Sequence, residues 1–248
     1  MTNIFKGQNI KEGIEVAASL IKGSKNIVVL TGAGMDTESN IPDFRGKDGL
    51  WKNYDPRVVA SIDTFEENYP LFHEFYTRRI KLLESVKPHE GHYILADLEK
   101  RGIIKAIATQ NVSGLHVMAG SKNVYELHGN IREIRCNYCN EKAELGEFFN
   151  GGNCPACGRR GLRPNVVLFG EALPVDVWIP AEEYVREADL LIVIGTSLEV
   201  YPVNQFPAIT KGKTILLNNE DLNTYYDFDI KLIGKAREVL IELDKYIR

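Results

Sequence analysis

Residues 26–34 read NIVVLTGAG. An apolar run of this length, ending directly in glycines, reads as a strand buried on both faces that delivers its carboxyl end into a turn. Three later stretches repeat the pattern: IIKAIATQ at 103–110, DLLIVIGTS at 189–197 and KTILLNNED at 213–221. NVYELHG at 123–129 reads as a further strand, and VVLFGE at 166–171 as the point where the pattern resumes after an interruption. Helical spacing separates these runs. Ile10, Ile14, Ala17, Ala18 and Ile21 recur within 9–22, and Phe65, Leu71, Phe72, Phe75 and Leu82 within about 65–85. HEGHYILADLEKRG reads as a helix stopped by Gly102, with others near 178–188 and at AREVLIELDKYI. Strands of Val, Ile and Leu alternating with helices predict an α/β fold, a doubly wound parallel sheet covered on both faces. The stretch 35–63 reads as loop, with prolines and glycines at 42, 46, 49 and 56.

The chain has 248 residues, 44% hydrophobic and 26% charged, with a formal net charge of −4. That composition is ordinary for a globular protein and gives no reason to expect direct nucleic-acid binding, which favours a basic surface. No apolar run is long enough to span a membrane, and MTNIFKGQNIKEG lacks the pattern of a secretory signal, so the cytoplasm is the expected location.

The four cysteines are Cys136, Cys139, Cys154 and Cys157, arranged as CNYC and CPAC with fourteen residues between. In a cytoplasmic chain disulfides are not expected, and two such knuckles supply four thiolates for one closed, structural Zn²⁺ site. The segment 133–163 around them is rich in Gly, Asn and charge and interrupts the α/β alternation.

Ligands of open parallel sheets bind beyond the carboxyl ends of the strands. Here those ends read GAG, TQN, GTS and LNN, a polar set that a single sheet edge gathers. As a dinucleotide fingerprint GAGMDTE is incomplete, because Thr37 occupies the third glycine position. The four ends together still favour a nucleotide site.

These residues resemble the sirtuin family of NAD-dependent protein deacylases. The resemblance covers nearly the whole chain and rests on ordered motifs: GAGMDTESNIPDFRG at 32–46, GLW at 49–51, TQNVSGLH at 109–116 and ELHG at 126–129. The paired knuckles, VLFGEALP at 167–174, GTSLEVYP at 195–202 and the strand end at Asn218 complete it. It implies a discontinuous Rossmann-like NAD domain over 1–43, 86–132 and 164–248. A helical insert at 44–85 and the zinc module at 133–163 then form a small domain, with NAD and an acyl-lysine peptide meeting in the cleft.

Roles follow position by position. Gly32, Ala33, Gly34 and Thr37 are implied for the pyrophosphate and its ribose, and Asp43, Phe44 and Arg45 for a loop over NAD. Gln110, Asn111, Val112 and Ser113 are implied on the nicotinamide side, with Gln110 and Asn111 ordering the ribose and its attacking water. Gly195, Thr196, Ser197, Asn218 and Ala236 would hold the adenosine half. His128 is implied as general base, since an imidazole is suited to take a proton near neutral pH. Val167, Leu168, Phe169 and Gly170 would pair with the peptide as an added strand. The implied reaction displaces nicotinamide by the acyl oxygen; His128 then activates a ribose hydroxyl, and the acyl group passes to ADP-ribose.

Several letters modify the expectation. FYTRR places Tyr76 and Arg79 as the pair that, in the desuccinylating and demalonylating branch, recognises an acyl carboxylate; the alternative is a core tyrosine and a solvated arginine. Asp36 stands where serine is usual, Asn40 replaces a glycine, and Ser113 replaces an aspartate that accepts from the nicotinamide carboxamide. A neutral acceptor there is expected to cost about 1–2 kcal/mol in NAD cleavage. Asp36 would repel the phosphates or cap the next helix. His89 and His92 read as structural or exposed, His73 as packing and His116 as a structural hydrogen bond. A mono-ADP-ribosyltransferase and a non-enzymatic NAD or ADP-ribose sensor remain as competing functions.

Overall fold

The structure, a computed structural model, describes residues 2–41, 55–222 and 226–248. Its strands are β1 (Asn3–Lys6), β2 (Ile27–Thr31), β3 (Ile104–Thr109), β4 (Val124–Glu126) and β5 (Gly129–Cys136). They continue with β6 (Lys142–Ala143), β7 (Leu162–Val166), β8 (Leu190–Ile194), β9 (Lys213–Asn218) and β10 (Ile230–Ile233). Seven of them form one sheet in the order β1-β10-β9-β8-β2-β3-β4, and every neighbouring pair is parallel. The chain leaves β2 toward β3 and β4 on one side and later fills the other side from β8 outward. The order therefore reverses between β2 and β8, the place where doubly wound sheets open a crevice at their carboxyl edge.

Alternation of side chains across the sheet decides which helix meets which residue. Ile27, Val29, Ile192, Ile194, Ile215 and Leu217 face one way, against Ile10–Gly23, Glu90–Lys100 and Ala236–Ile247. Val28, Leu30, Leu191, Val193 and Leu216 face the other way, against Ala181, Val185 and Phe206. β2 and β8 are buried at every position, as strands with helices on both faces must be.

The small domain is built differently. β5 pairs antiparallel with β6 and with β7, and the resulting sheet shares a core with the aromatic face of Tyr69–Leu83. Phe65, Phe72 and Tyr76 from that side meet Ile131, Ile134, Leu162 and Val166 from the other. The helical stretch expected at 65–85 is divided in two, Ile62–Glu67 and Tyr69–Leu83. Asn68 ends the first and caps the second with its side-chain oxygen on the amide of Leu71. Ser61 caps the first through the amide of Thr64.

One sequence expectation fails. VVLFGE does not resume the parallel pattern: only Val166 belongs to a strand, and that strand lies in the three-stranded sheet. A short apolar run carries no information on which sheet receives it. Nor does the sequence reading anticipate β1 and β10, which complete the parallel sheet at its far side. Both are four residues long, and β1 keeps no residue fully buried, so neither has the continuous apolar signature.

Candidate active site and metal centre

At the switch point the loops after β2 and β8 interlock. Gly32 N–H donates to the carbonyl of Ile194 and Gly34 N–H to that of Gly195, at 3.0 and 2.7 Å. A Cβ on Gly34 would lie 2.8 Å from Gly195 Cα, and one on Gly195 would lie 2.3 Å from the Met35 nitrogen. Gly195 also has φ +62°, which favours glycine. The glycines thus allow two loops to touch, a tighter demand than the close approach to phosphate expected from GAG alone. Ala33 opens a short turn, and Thr37 on the next one donates its hydroxyl to the carbonyl of Gly34.

Thr196, Gln110 and His128 form a chain. Gln110 Nε2 donates to Thr196 Oγ1 at 2.8 Å, and the Gln110 carbonyl lies 3.1 Å from His128 Nδ1. An imidazole whose Nδ1–H is given to a carbonyl is the tautomer with a lone pair on Nε2, the form a general base needs. Burial lowers the pKa of His128, and the bond to the Gln110 carbonyl opposes that shift. Asn111 is buried, its side-chain amide donating to the carbonyl of Gly32 and its backbone N–H to Thr109 Oγ1. Gln110, Asn111 and His128 are therefore assembled at one edge by bonds to β2, β3 and the loop after β8. Val112, next along, accepts the N–H of Ile131 through its carbonyl and ties this loop to β5.

The remaining expected contacts differ in kind. Ser197 is exposed, and Asn218 is half-buried with its amide on the carbonyl of Glu220. Ala236 begins the last helix, whose Arg237 N–H is already taken by the Glu38 carboxylate at 2.7 Å. That helix end is neutralised by the protein's own carboxylate. Asp43, Phe44 and Arg45 lie outside the described residues.

The four cysteine sulfurs lie within 4.8 Å of one another, with Cys136–Cys157 at 3.7 Å and Cys139–Cys154 at 3.6 Å. These separations exceed a disulfide and fit the edge of a thiolate tetrahedron with metal–sulfur bonds of about 2.3 Å. The two knuckles have the same build. Cys136 N–H donates to Glu141 and Cys154 N–H to Arg159, and the turns are closed by left-handed Asn140 (φ 60°) and Gly158 (φ 73°). Asn and Gly are the residues that tolerate this conformation.

The model of the Sir2 family matches residues 32–202. The chain belongs to the Sir2 family. It is 42% identical to the NAD-dependent protein deacylase 2 of Archaeoglobus fulgidus, covering 96% of this chain and 98% of that one. It is 46% identical to the NAD-dependent protein deacetylase of Sulfolobus acidocaldarius, covering 91% of each. Among solved structures, a Sir2 complex with a p53 peptide and NAD⁺ superposes with a TM-score of 0.85 at 35% identity, covering 94% of this chain and 97% of that one.

Within this Sir2 framework the two unusual letters meet. Ser113 Oγ donates to Asp36 Oδ2 at 2.7 Å, while Asp36 Oδ1 lies 3.1 Å from His92 Nε2. Asp36 is 4% exposed and makes no side-chain cap on the turn that follows. The expected choice between repelling phosphates and capping a helix is thus corrected: the carboxylate turns inward and is held by two donors. His89, His92 and His116 are all buried and lie in a row, their rings tilted by 59° and 57° with centroids 4.3 and 4.9 Å apart. The exposed reading of His89 and His92 is overturned. His89 Nε2 reaches the carbonyl of Met35, and His116 Nε2 reaches Thr31 Oγ1, as expected of a structural bond. His73 packs on Phe148 and bonds to its carbonyl.

Burial lowers the pKa of His116 to about 3, with His92 adding to the effect. The unfolded chain takes up a proton below about pH 6.5 and the folded site does not, so this contribution is complete above that pH and is lost on acidification. Glu126 works the other way: burial raises it to about 7, so acidification relieves it. The test must therefore isolate one group. His116→Asn is expected to destabilise the protein at pH 7, and the gap to wild type to narrow by about 2 kcal/mol at pH 5. Urea midpoints at both pH values measure it; a constant gap would refute the assignment.

On the small-domain side, Tyr76 is buried at 4.6 Å from Phe72, and burial lifts its phenol to about 12 against the pull of neighbouring Arg79. Arg79 is half-buried, and desolvation lowers its pKa. The peptide-side stretch is already partly committed. Val167 N–H donates to the carbonyl of His128, Leu168 N–H to Glu171 Oε2 and Phe169 N–H to the carbonyl of Ala60. Ile62 N–H donates to the Phe169 carbonyl. The Val167 carbonyl and the Gly170 N–H are not used in these bonds, and the Phe169 side chain is exposed.

Sequence reasoning missed Arg163. Its guanidinium is fully buried and binds both oxygens of Glu171, the carbonyl of Val166 and Asn137 Oδ1, beneath the Phe65 ring. Nothing local in LRPNV marks this arginine as buried: it is the second residue of an edge strand and precedes a proline, and only the fold closes it off from solvent.

Proposed function

We propose that this Sir2-family chain is an NAD-dependent protein-lysine deacylase, with deacetylation first among its activities, passing the acyl group to ADP-ribose and releasing nicotinamide. The observation that carries the reading is His128, held through Nδ1 by the Gln110 carbonyl with Nε2 left to take a proton. NAD, when bound, supplies the electrophilic ribose carbon and the leaving nicotinamide. The chain's residues do the rest: the loops around Gly32, Ala33, Gly34, Thr37, Gly195, Thr196 and Ser197 hold the dinucleotide. Asn218 and Ala236 border its adenosine end. Gln110 and Asn111 order the ribose, and Val167 and Gly170 offer backbone groups to the acyl-lysine peptide. Zn²⁺ on the four cysteines holds the small domain and takes no part in proton transfer.

A carboxylate-bearing acyl group is the second reading, supported by Arg79, which is half-buried beside Tyr76 rather than fully solvated; the Tyr76 phenol itself sits in the aromatic core, as the alternative reading expected. A base poised in this way favours deacylation over ADP-ribosyl transfer or silent sensing. Thiols gathered at one metal site, rather than paired as disulfides, support a cytoplasmic location. The test incubates the protein with NAD and acetyl-, succinyl- and malonyl-lysine peptides, following nicotinamide, free lysine peptide and mass-shifted protein. Free peptide formed with nicotinamide is expected. Nicotinamide without free peptide would overturn the deacylase reading. Arg79→Met is expected to reduce desuccinylation relative to deacetylation only if the second reading holds.

A further inference from the structure

We propose that Asp36 is a positioning residue acting through Ser113, so that the two side chains form one relayed acceptor for the carboxamide N–H of the nicotinamide in NAD. The inference rests on the NAD reading above and concerns what this chain does with its two departures from the family pattern. Serine is usual at 36 and aspartate at 113; here the letters are exchanged, and the two groups are hydrogen-bonded across the loops after β2 and β3.

The direction of that bond is the argument. A carboxylate only accepts, so Ser113 must donate its single proton to Asp36. The hydroxyl then faces its remaining surroundings with lone pairs alone. One of them is weakly engaged by Leu115 N–H at 3.4 Å. A hydroxyl that has given its proton to a buried carboxylate is polarised and becomes a stronger acceptor than a free serine. It also loses the ability to donate, so the group it selects is a donor such as a primary amide N–H.

The surroundings fix this geometry from both ends. His92, fully buried, holds the second oxygen of Asp36. Arg132 Nε donates to the Ser113 carbonyl at 2.7 Å, and its Nη2 reaches the carbonyl of Leu83. Ser113 lies two residues beyond Asn111, whose side chain is tied to Gly32, so the acceptor is rigidly related to the ribose-ordering residues. The charge expected at position 113 is thus supplied by Asp36 through the Ser113 hydroxyl, and the loss expected from a neutral serine is largely recovered.

Five proteins test it: wild type, Asp36→Asn, Ser113→Ala, these two combined, and the exchanged pair Asp36→Ser with Ser113→Asp. Calorimetry gives ADP-ribose affinity, which involves no carboxamide, and exchange of labelled nicotinamide into NAD gives the nicotinamide half-saturation. Each single variant is expected to raise that half-saturation roughly five- to thirtyfold. ADP-ribose affinity is expected to stay within about twofold. Combining Asp36→Asn with Ser113→Ala is expected to add little to either alone, because the groups act as a unit. The exchanged pair is expected to return near wild type. Losses that multiply in the combined variant, ADP-ribose affinity falling in parallel, or an exchanged pair no better than Asp36→Asn would each overturn the relay. Wild type binding neither ADP-ribose nor NAD would overturn the NAD reading itself, an outcome seen before any variant is compared.

Discussion

Replacing His128 with alanine is expected to lower deacylation by roughly 10²- to 10⁴-fold, the range a positioned general base contributes. ADP-ribose affinity and nicotinamide exchange are expected to survive, because the loops proposed to hold the dinucleotide do not depend on the imidazole. Gly32 and Gly34 bond to the loop after β8, and Gln110 bonds to Thr196 through its side chain. The substitution removes only the ring that accepts at Nε2 and donates from Nδ1 to the Gln110 carbonyl. Measuring nicotinamide exchange and free-lysine formation side by side separates the steps. Deacylation within tenfold of wild type would mean that another group takes the proton. Glu126, raised to about 7 by burial, is the alternative base to examine then, since it lies two residues away.

Removing the metal, or replacing Cys154 with serine, is expected to abolish deacylation and unfold the small domain while leaving the parallel sheet intact. Structural Zn²⁺ contributes on the order of 10 kcal/mol to small domains of this kind. The effect reaches the site through β5, which begins at Gly129, next to the proposed base, and ends on Cys136, a proposed metal ligand. Gly129 sits at φ +78°, and a Cβ there would lie 2.1 Å from the Asn165 carbonyl, so β5 and β7 meet tightly beside His128. Unlatching one end of that pair frees the other. After chelation, verified by metal analysis, limited proteolysis is expected to cut within the small domain and ADP-ribose binding to persist. Unchanged melting and full activity in metal-free protein would show the cysteines to be dispensable.

The central strands were legible because β2 and β8 carry five consecutive buried residues and β3 and β9 four, and such runs have few alternatives. The last helix was legible to the residue, Ala236–Ile247, because its apolar period is unbroken. The knuckles were legible because ligand spacing is local. What sequence reading could not supply are the relations between distant positions. Asp36 and Ser113 each read as an isolated departure, and only the fold shows that they are partners. The glycines of GAG read as room for phosphate, whereas Gly34 and Gly195 answer each other. VVLFGE was assigned to the wrong sheet because hydrophobicity marks burial without naming the neighbour. Arg163 was passed over because an isolated arginine is usually a surface residue.

That arginine has a consequence for how the molecule is made. Phe65, the Val166 carbonyl, Glu171 and Asn137 converge on one guanidinium, although the first precedes the others by a long stretch of chain. The aromatic face of Tyr69–Leu83 is synthesised early, yet its covering strands, β5 and β7, come after β2, β3 and β4 of the parallel sheet. During synthesis the early helices must wait, apolar side outward, until the second strand pair arrives. Once β7 and Glu171 have emerged the small domain has all its strands, whereas the parallel sheet still lacks β8, β9 and β10, so the nascent chain can close its second core before its first.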